Sequence, residues 1–299
     1  MKMRRRGEKE KRRQLCGGRN ALTLSYFFVL FAFFAVNSSA QSLESISNDL
    51  ASGNIELKRN ALFQIKNLRS ETASRLAIPA LSDADELVRA TATTAVIFLP
   101  KTEAAQVLIP LLADKATFVR GEAAFALGEV SDVSATAPLI RSLQKDSSDE
   151  VRSATAVALG KIGDATAIES LTGILKKKPS DGNEFLRRSA ARSIGQIAQI
   201  VRSGKNRVVT PQNFLPAKYK EYPHPESYFL EITPDTINTL LDVLKNRKEA
   251  DDTRREAAFA LGAIGDISSV TLLRSNLNSP DNYLAEICKE ALLKLGQIQ

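Results

Sequence analysis

Apolar residues recur along this chain at intervals of three and four, which is the period of an amphipathic α-helix. A second kind of helical segment, rich in leucine, precedes these stretches, as at 105–112. The pattern therefore predicts an all-α protein built from pairs of helices. In the clearest stretch the apolar positions on one helical face are Val119, Ala123, Ala126, Leu127 and Val130.

The second helix of each predicted pair carries a phrase that returns at near-constant spacing. It reads V-R-G-E-A-A-F-A-L-G at 119–128 and V-R-S-A-T-A-V-A-L-G at 151–160. The basic residues of successive copies are 31, 31, 32, 35 and 67 positions apart. Repeats of this length are typical of a solenoid, whose units each contact only their neighbours. Further copies lie at 186–195 and 253–262, and weaker ones begin at Leu57, Val88 and Ile287.

The longest interval is about twice the period and indicates an insertion over about 203–232. Thr233-Pro234-Asp235 then predicts a helix start, with a hydroxyl cap and proline in the first turn. Loops longer than ~15 residues are usually functional or disordered, and aromatic residues are enriched at interfaces. The aromatic residues of the insertion either contact a partner and cover part of the repeat face, or pack passively on neighbouring helices. They are Phe214, Tyr219, Tyr222, Tyr228 and Phe229.

An aspartate stands six residues before the arginine of the phrase in four units. This spacing predicts a ladder of charge-assisted hydrogen bonds that ties the repeats together and satisfies turn amides. The alternative is a row of arginines that binds a partner. The four pairs are Asp83 with Arg89, Asp114 with Arg120, Asp146 with Arg152, and Asp181 with Arg187.

These units resemble HEAT repeats, in particular the short HEAT-like form named after phycobilisome lyases. The resemblance rests on the Asp-x5-Arg pairs and on the phrase V-R-x-x-A-x-x-A-L-G, clearest at 119–128 and 151–160. It implies a right-handed α-solenoid of about seven helix pairs with one long insertion, whose second helices line the concave face. The chain departs from the pattern at Lys58, at Lys248 before Arg254, and at Cys288 in the last arginine position.

Three phenylalanines occupy the same register of the phrase, namely Phe63, Phe125 and Phe259. We expect them to pack in the core between layers, because helical spacing alone produces this pattern. An aromatic stripe that contacts a partner is the alternative. Gly-Asp at 163–164 and at 265–266 predicts turns that end one helix and begin the next.

The first forty residues read as a secretory signal peptide. Residues 1–20 are strongly basic, and 21–36 form an apolar run of 16 residues, shorter than the ~20 needed to span a bilayer. Small residues at 38–40 then suit signal peptidase. We expect cleavage after Ala40, which leaves a repeat domain over 41–299 that is exported to the periplasm or secreted. The alternative is an uncleaved signal that anchors the protein to the inner membrane.

Charge argues against a nucleic-acid partner. The chain carries a net charge of +7, and residues 1–40 hold nine basic and two acidic residues, so 41–299 is neutral. Proteins that bind nucleic acid need a basic face. The high isoelectric point therefore belongs to the predicted signal.

Residues suited to catalysis or metal binding are scarce in this chain. The deoxyhypusine hydroxylases, similar in repeat pattern, hold iron with paired His-Glu motifs, whereas this chain has one histidine, His224, in a proline-rich stretch. Cys288 is alone after residue 40 and lies on an apolar helix, which favours a packed residue over a reactive thiol. We therefore expect no cofactor, no metal and no catalysis.

The interpretation that follows is an exported, non-catalytic scaffold. It would bind a protein or peptide on the concave repeat face, through the 203–232 insertion, or through both. One alternative is an enzyme or enzyme subunit related to HEAT-like lyases and hydroxylases. Another is a structural protein anchored to the membrane by an uncleaved signal.

Overall fold

The computed structural model describes residues 43–203 and 232–298. The chain forms two compact units, Met1–Gln64 and Ile65–Gln299. All regular structure within the described residues is α-helical or 3-10-helical, as the sequence pattern predicts. The predicted insertion, with its five aromatic residues, lies outside the described residues except at its two ends.

The described part of the first unit consists of α1, a helix over 43–51, and the beginning of α2 (Ile55–Leu68). Asn54 caps α2, because its side-chain oxygen accepts hydrogen bonds from the amides of Glu56 and Leu57 at 2.9 and 3.3 Å. The apolar residues Ala61 and Leu62 on this helix are fully buried. Capping at one end and burial along one face thus define the helix.

The second unit is an α-solenoid, and its described residues form six helix pairs. The first helix is the shorter one in each of these six pairs, and in five of them it adjoins a 3-10 turn. The first helices are α3 (Glu71–Ala77), α5 (Lys101–Leu108), α7 (Thr136–Lys145), α9 (Ile168–Leu175), α11 (Pro234–Lys245) and α13 (Val270–Ser275). The second helices are α4 (Glu86–Ala95), α6 (Thr117–Val130), α8 (Asp149–Ile162), α10 (Glu184–Ser203), α12 (Asp251–Ile264) and α14 (Asn282–Lys294).

Each second helix packs against the second helix of the next pair, from α4 through to α14. The third residue of each is buried in this layer, and it is the first position of the phrase, which holds valine, leucine or, in α12, Thr253. In α14 this residue is Leu284, so the expectation that the last copy begins at Ile287 is wrong. A phrase that begins at Ile287 would have Gly296 as its last residue, but Gly296 lies beyond the end of α14 with a φ of 65°. The helix begins earlier because Asp281 caps it, accepting from the amides of Tyr283 and Leu284.

The glycine near the end of the phrase is a contact residue inside the second helix. A methyl group added at Gly128 would lie 2.8 Å from the Cα of Ala158, and one at Gly262 would lie 2.7 Å from the Cα of Ala291. Neighbouring second helices therefore approach closely at these points. Two other glycines, Gly163 and Gly265, end α8 and α12 with φ values of 80° and 81°, which confirms the predicted turns.

The two edges of the insertion are well defined. Helix α10 runs to Ser203, and α11 begins at Pro234 with Thr233 as its N-cap, which confirms the predicted helix start. Near the end of α10, the guanidinium of Arg202 donates to the carbonyl oxygens of Ala263 and Ile264 at 3.0 and 3.1 Å. These bonds satisfy the last carbonyl groups of α12 and hold α10 against it.

Candidate binding surface

A row of large apolar side chains is exposed on the second helices. Their exposed fractions lie between 41% and 55%. Four of the five occupy the second residue of their helix, directly before the buried third residue, so helix geometry places them on the outer side. We call them the apolar row: Leu87 on α4, Phe118 and Phe125 on α6, Phe185 on α10, and Tyr283 on α14.

The expectation that the three phrase phenylalanines pack in the core is right for one of them. Phe259 is 3% exposed, and its ring lies in the space that Gly195 leaves on α10. Phe63 and Phe125 are exposed, so the expectation is wrong for both. In the register of Gly195 the preceding pair has Ile97, so Phe125 lacks the corresponding space.

Cations of the chain lie over most of the aromatic rings in this row. Lys161 lies 4.7 Å from the ring centre of Phe125 and forms an ion pair with Glu129. Arg188 lies 4.8 Å from the ring of Phe185. In each case a cation–π contact is combined with a carboxylate partner, which for Arg188 is Asp252 at 3.0 Å.

Tyr283 shows the same arrangement at the far end of the unit. The guanidinium of Arg255 lies 5.2 Å from its ring centre and donates to both carboxylate oxygens of Asp281, at 2.8 and 3.0 Å. Phe118 differs, because no cation within the described residues lies over its ring.

Glu122 follows Phe118 by one helical turn on the same face of α6 and is half-buried. Burial raises the pKa of its carboxyl group, and the field of Lys66 offsets that rise only in part. Within 43–203 and 232–298 the carboxylate has no ion-pair partner. Phe118 and Glu122 thus form an aromatic–carboxylate pair without a cation.

The predicted ladder residues form ion pairs between successive units at two steps. The guanidinium of Arg89 donates to both oxygens of Asp114 at 2.8 and 2.9 Å, and Arg120 does the same to Asp146 at 2.7 and 3.0 Å. Each arginine also donates to the backbone carbonyl of the aspartate in its own unit. For Arg89 this is Asp83, at 2.8 Å. The arginine therefore ties its own turn to the following turn.

The ladder aspartates also accept backbone hydrogen bonds in their own turns. Asp114 accepts from the amide of Ala116 at 2.8 Å. Its bond from Arg89 and this amide hold the pKa of Asp114 below its usual value. Burial acts in the opposite direction on Asp146, but Arg120 and the Ser148 amide outweigh it, so that pKa is also lowered.

The ladder is interrupted at Arg152, which does not join Asp181. Its Nε donates to the carbonyl of Leu143 at 3.0 Å, and its Nη1 donates to Asp149 at 2.6 Å. Asp181 is exposed in a 3-10 turn over Asp181–Asn183. The turn before this unit is longer, as the step of 35 residues records, and it moves the aspartate away from the stack.

Beyond the insertion the ladder continues through a residue that the sequence analysis missed. Arg187 donates to both carboxylate oxygens of Glu249, with Nε at 2.8 Å and Nη2 at 2.5 Å. Their side chains are 2% and 1% exposed, which makes this pair more buried than the two preceding ones. The repeat pattern has an aspartate at the position where this chain has Lys248. A glutamate one residue later reaches the same place, because its side chain is one methylene longer.

Cys288 is fully buried on α14. Burial raises the pKa of its thiol to about 12, so the reactive thiolate is scarce at neutral pH. Among the described residues, no group of three or more histidine, cysteine or acidic side chains is arranged to hold a metal ion. None of the helices within 43–203 and 232–298 combines the length and apolar character that crossing a bilayer requires.

Helix pairs stacked in one layer define a repeat protein of the α-solenoid class. The family described as HEAT repeats matches residues 43–127 and 108–195, which together span just over half of the 299 residues. The PBS lyase HEAT-like repeat matches residues 253–279. The chain belongs to the HEAT-repeat family. No curated protein matches its sequence.

Solved structures of similar fold include three of different origin. One is the complex of CpcE and CpcF of phycocyanin lyase from Nostoc sp. PCC7120, at 23% identity and a TM-score of 0.46 over 86% of this chain and 88% of that chain. An engineered protein has 18% identity and a TM-score of 0.52, covering 85% and 68%. Human deoxyhypusine hydroxylase has 16% identity and a TM-score of 0.39, covering 88% and 99%. The engineered protein supports the fold alone.

Proposed function

We propose that the protein is an exported, non-catalytic scaffold that binds another protein or a peptide on the exposed face of its second helices. The observation that carries the proposal is the apolar row, in which large side chains remain exposed at the second residue of four of the six second helices of the second unit. Exposed apolar side chains that recur on one face are a feature of interaction surfaces. Burial of the exposed half of one such ring would stabilise a complex by roughly 1 kcal/mol.

The ladder arginines do not compete for this role. Arg89, Arg120 and Arg187 are engaged with carboxylates and backbone carbonyls of the chain, which favours a structural role over a row of arginines that binds a partner. The ladder therefore supports the face by fixing the spacing of the helices that carry the row.

The insertion supplies a second part of the proposed surface. Its aromatic residues Phe214, Tyr219, Tyr222, Tyr228 and Phe229 lie outside the described residues. Tyrosine and phenylalanine act as anchors at protein interfaces. We propose that they add contacts near the end of α10 and the start of α11, where the described chain leaves and returns.

Export is part of the same proposal. It rests on the basic segment, the apolar run and the small residues before Gln41. The protein would then work in the periplasm or outside the cell. Residues 41–299 are neutral overall, so the proposed partner is a protein or peptide and not a nucleic acid.

A crosslinked pull-down from the envelope fraction tests the scaffold. The bait is the purified protein, compared with a variant that carries Leu87→Ala, Phe118→Ala and Phe185→Ala. We expect a specific protein to be captured by the parent and lost with the triple variant. The matched control is Val133→Ala with Ile267→Ala, because these side chains are also exposed but lie on 3-10 turns away from the row.

Two further outcomes have distinct meanings. A deletion of 203–232 that abolishes capture, while the triple variant retains it, would place the binding site in the insertion. Equal capture by the parent and the triple variant would contradict the proposed face. A chromophore or metal that copurifies with the protein would favour the alternative function, an enzyme or enzyme subunit, over a scaffold.

A further inference from the structure

We propose that Phe118, Glu122 and Phe125 on α6 form a site for one basic side chain, a lysine or an arginine, of a partner polypeptide. The inference rests on the proposed scaffold function and specifies the partner chemistry at one point of its face. It comes from three groups on a single helical face: Glu122 stands four residues after Phe118 and three before Phe125. Residues at these spacings are neighbours on the surface of a helix.

The chain itself shows what such a set of groups binds. Lys161, Arg188 and Arg255 each lie over an exposed aromatic ring and each also pair with a carboxylate. The rings attract these cations through their negative faces, and the carboxylates add charge pairing. At Phe118 and Glu122 the ring and the carboxylate are present, but within the described residues no cation completes the set.

The state of the Glu122 carboxylate favours a charged partner. It is half-buried on the helical face that also carries Phe118 and Phe125, and its burial raises its pKa, so ionisation is costly without a close cation. Lys66 acts on it only at longer range. A partner ammonium or guanidinium group would offset that cost.

The shape of the surface favours a long side chain over a small ion. A single carboxylate offers too few oxygen ligands for Ca²⁺ or Mg²⁺. The apolar stem of lysine or arginine would lie along the phenylalanine rings while its charged end reaches Glu122. Gly121 beside Glu122 leaves open space, since a methyl group added there would meet nothing within 4 Å.

The test selects ligands without assuming their sequence. A displayed library of random linear peptides is selected on the purified protein, and one selected peptide is synthesised with a fluorescent label. We expect the selected peptides to share a lysine or arginine beside apolar residues. We also expect the substitutions Glu122→Gln and Phe118→Ala each to lower the affinity for the labelled peptide by about tenfold. Glu169→Gln, an exposed glutamate on the first helix α9, is the matched control and should leave affinity unchanged.

A double-mutant cycle identifies the contact. Replacing the shared basic residue of the peptide by norleucine should weaken binding to the parent protein. The same replacement should reduce affinity for the Glu122→Gln variant little further. Losses of affinity that simply add in this cycle would overturn the proposed site. Selected peptides that lack basic residues would also overturn it. So would an unchanged affinity of the labelled peptide for the Glu122→Gln variant. In those cases the scaffold function stands, because peptides still bind. Failure to select any peptide would contradict both proposals.

Discussion

At the scale of the residue, the buried pair of Arg187 and Glu249 is the most consequential contact in the second unit. It joins α10 to the turn before α12, and neither side chain is accessible to water. Removing one partner of such a pair leaves an unpaired buried charge, which costs far more than the net stabilisation by the intact pair.

We predict that Arg187→Ala lowers the free energy of unfolding by about 3–5 kcal/mol. Arg152→Ala should cost about 1 kcal/mol, because Arg152 bonds to one carbonyl and to the partly exposed Asp149. Urea denaturation followed by circular dichroism measures both. The double variant Arg187→Met with Glu249→Leu should recover part of the loss, because it removes the unpaired charge but not the need of the Ile174 and Leu175 carbonyl groups for a donor. An equal loss for Arg187→Ala and Arg152→Ala would contradict the importance given to burial.

Acid should weaken the ladder at Asp114. Its pKa is lower in the folded protein, chiefly because Arg89 donates to it, so the carboxylate contributes stability at pH values above its ordinary pKa of about 4. That contribution is lost as pH falls through the lower folded value. The stability difference between the parent and Asp114→Asn should therefore be largest near neutrality and shrink below about pH 4. Urea midpoints measured across this range test it, and a difference that grows on acidification would contradict it.

The sequence was sufficient to predict these contacts only where the spacing stayed regular. The Asp-x5-Arg pattern located Asp114 and Asp146, both of which receive an arginine from the preceding unit. It did not reveal Glu249, since residue type and spacing both changed by one step there. It also placed Asp181 in the ladder, although the longer turn before α10 leaves that residue exposed.

At the scale of the element, glycines determine how closely neighbouring second helices pack. Helix α6 contains two glycines with opposite surroundings: Gly128 faces the backbone of α8, and Gly121 faces open space. The same substitution should therefore have opposite effects at the two positions on one helix.

We predict that Gly128→Ala destabilises the protein by roughly 1–3 kcal/mol, because its methyl group would overlap the Cα of Ala158. Gly121→Ala should stabilise it by about 0.5–1 kcal/mol, since alanine favours the helix and meets no neighbour. Thermal denaturation of the two single variants gives the comparison. Destabilisation by both would show that helix packing extends over Gly121 as well.

Helix registers were predictable where the phrase was complete and not where it was degenerate. In α8 and α12 the phrase and its Gly-Asp turn fixed both ends. In α14 the phrase lacks its glycine, and alignment on Gly296, which lies beyond the helix, predicts a register three residues too late. Phe125 shows a related limit, because its exposure depends on a residue of the preceding helix pair that the local pattern does not contain.

At the scale of the whole molecule, the extent of the working protein depends on its first forty residues. We predict that the protein recovered from its native compartment begins at Gln41, because the small residues at 38–40 follow an apolar run of signal-peptide length. Intact mass spectrometry of the purified protein tests this prediction. A mass that retains residues 1–40, together with recovery in the membrane fraction, would support the anchored alternative.

The repeat fold is predictable from the sequence, whereas the exposed apolar row is not. Periodicity was enough to predict an all-α repeat protein, since helices of this kind follow from local apolar spacing. The exposed row could not be foreseen in the same way, because phenylalanines at one register proved buried in α12 and exposed in α6. The difference between the two positions lies in the preceding helix pair, which has Gly195 on α10 in one case and Ile97, just beyond the end of α4, in the other.

The contacts between α10 and α12 have a consequence for the covalent chain. Besides Arg187 and Glu249, the helices are joined by Arg192 with Glu256 at 2.8 Å and by the bonds of Arg202 to the end of α12. These contacts join residues about sixty positions apart, and none of them involves the chain segment between Ser203 and Pro234. If the chain is cleaved within that segment, the two fragments should therefore remain associated. The same segment should also accept the insertion of a foreign domain.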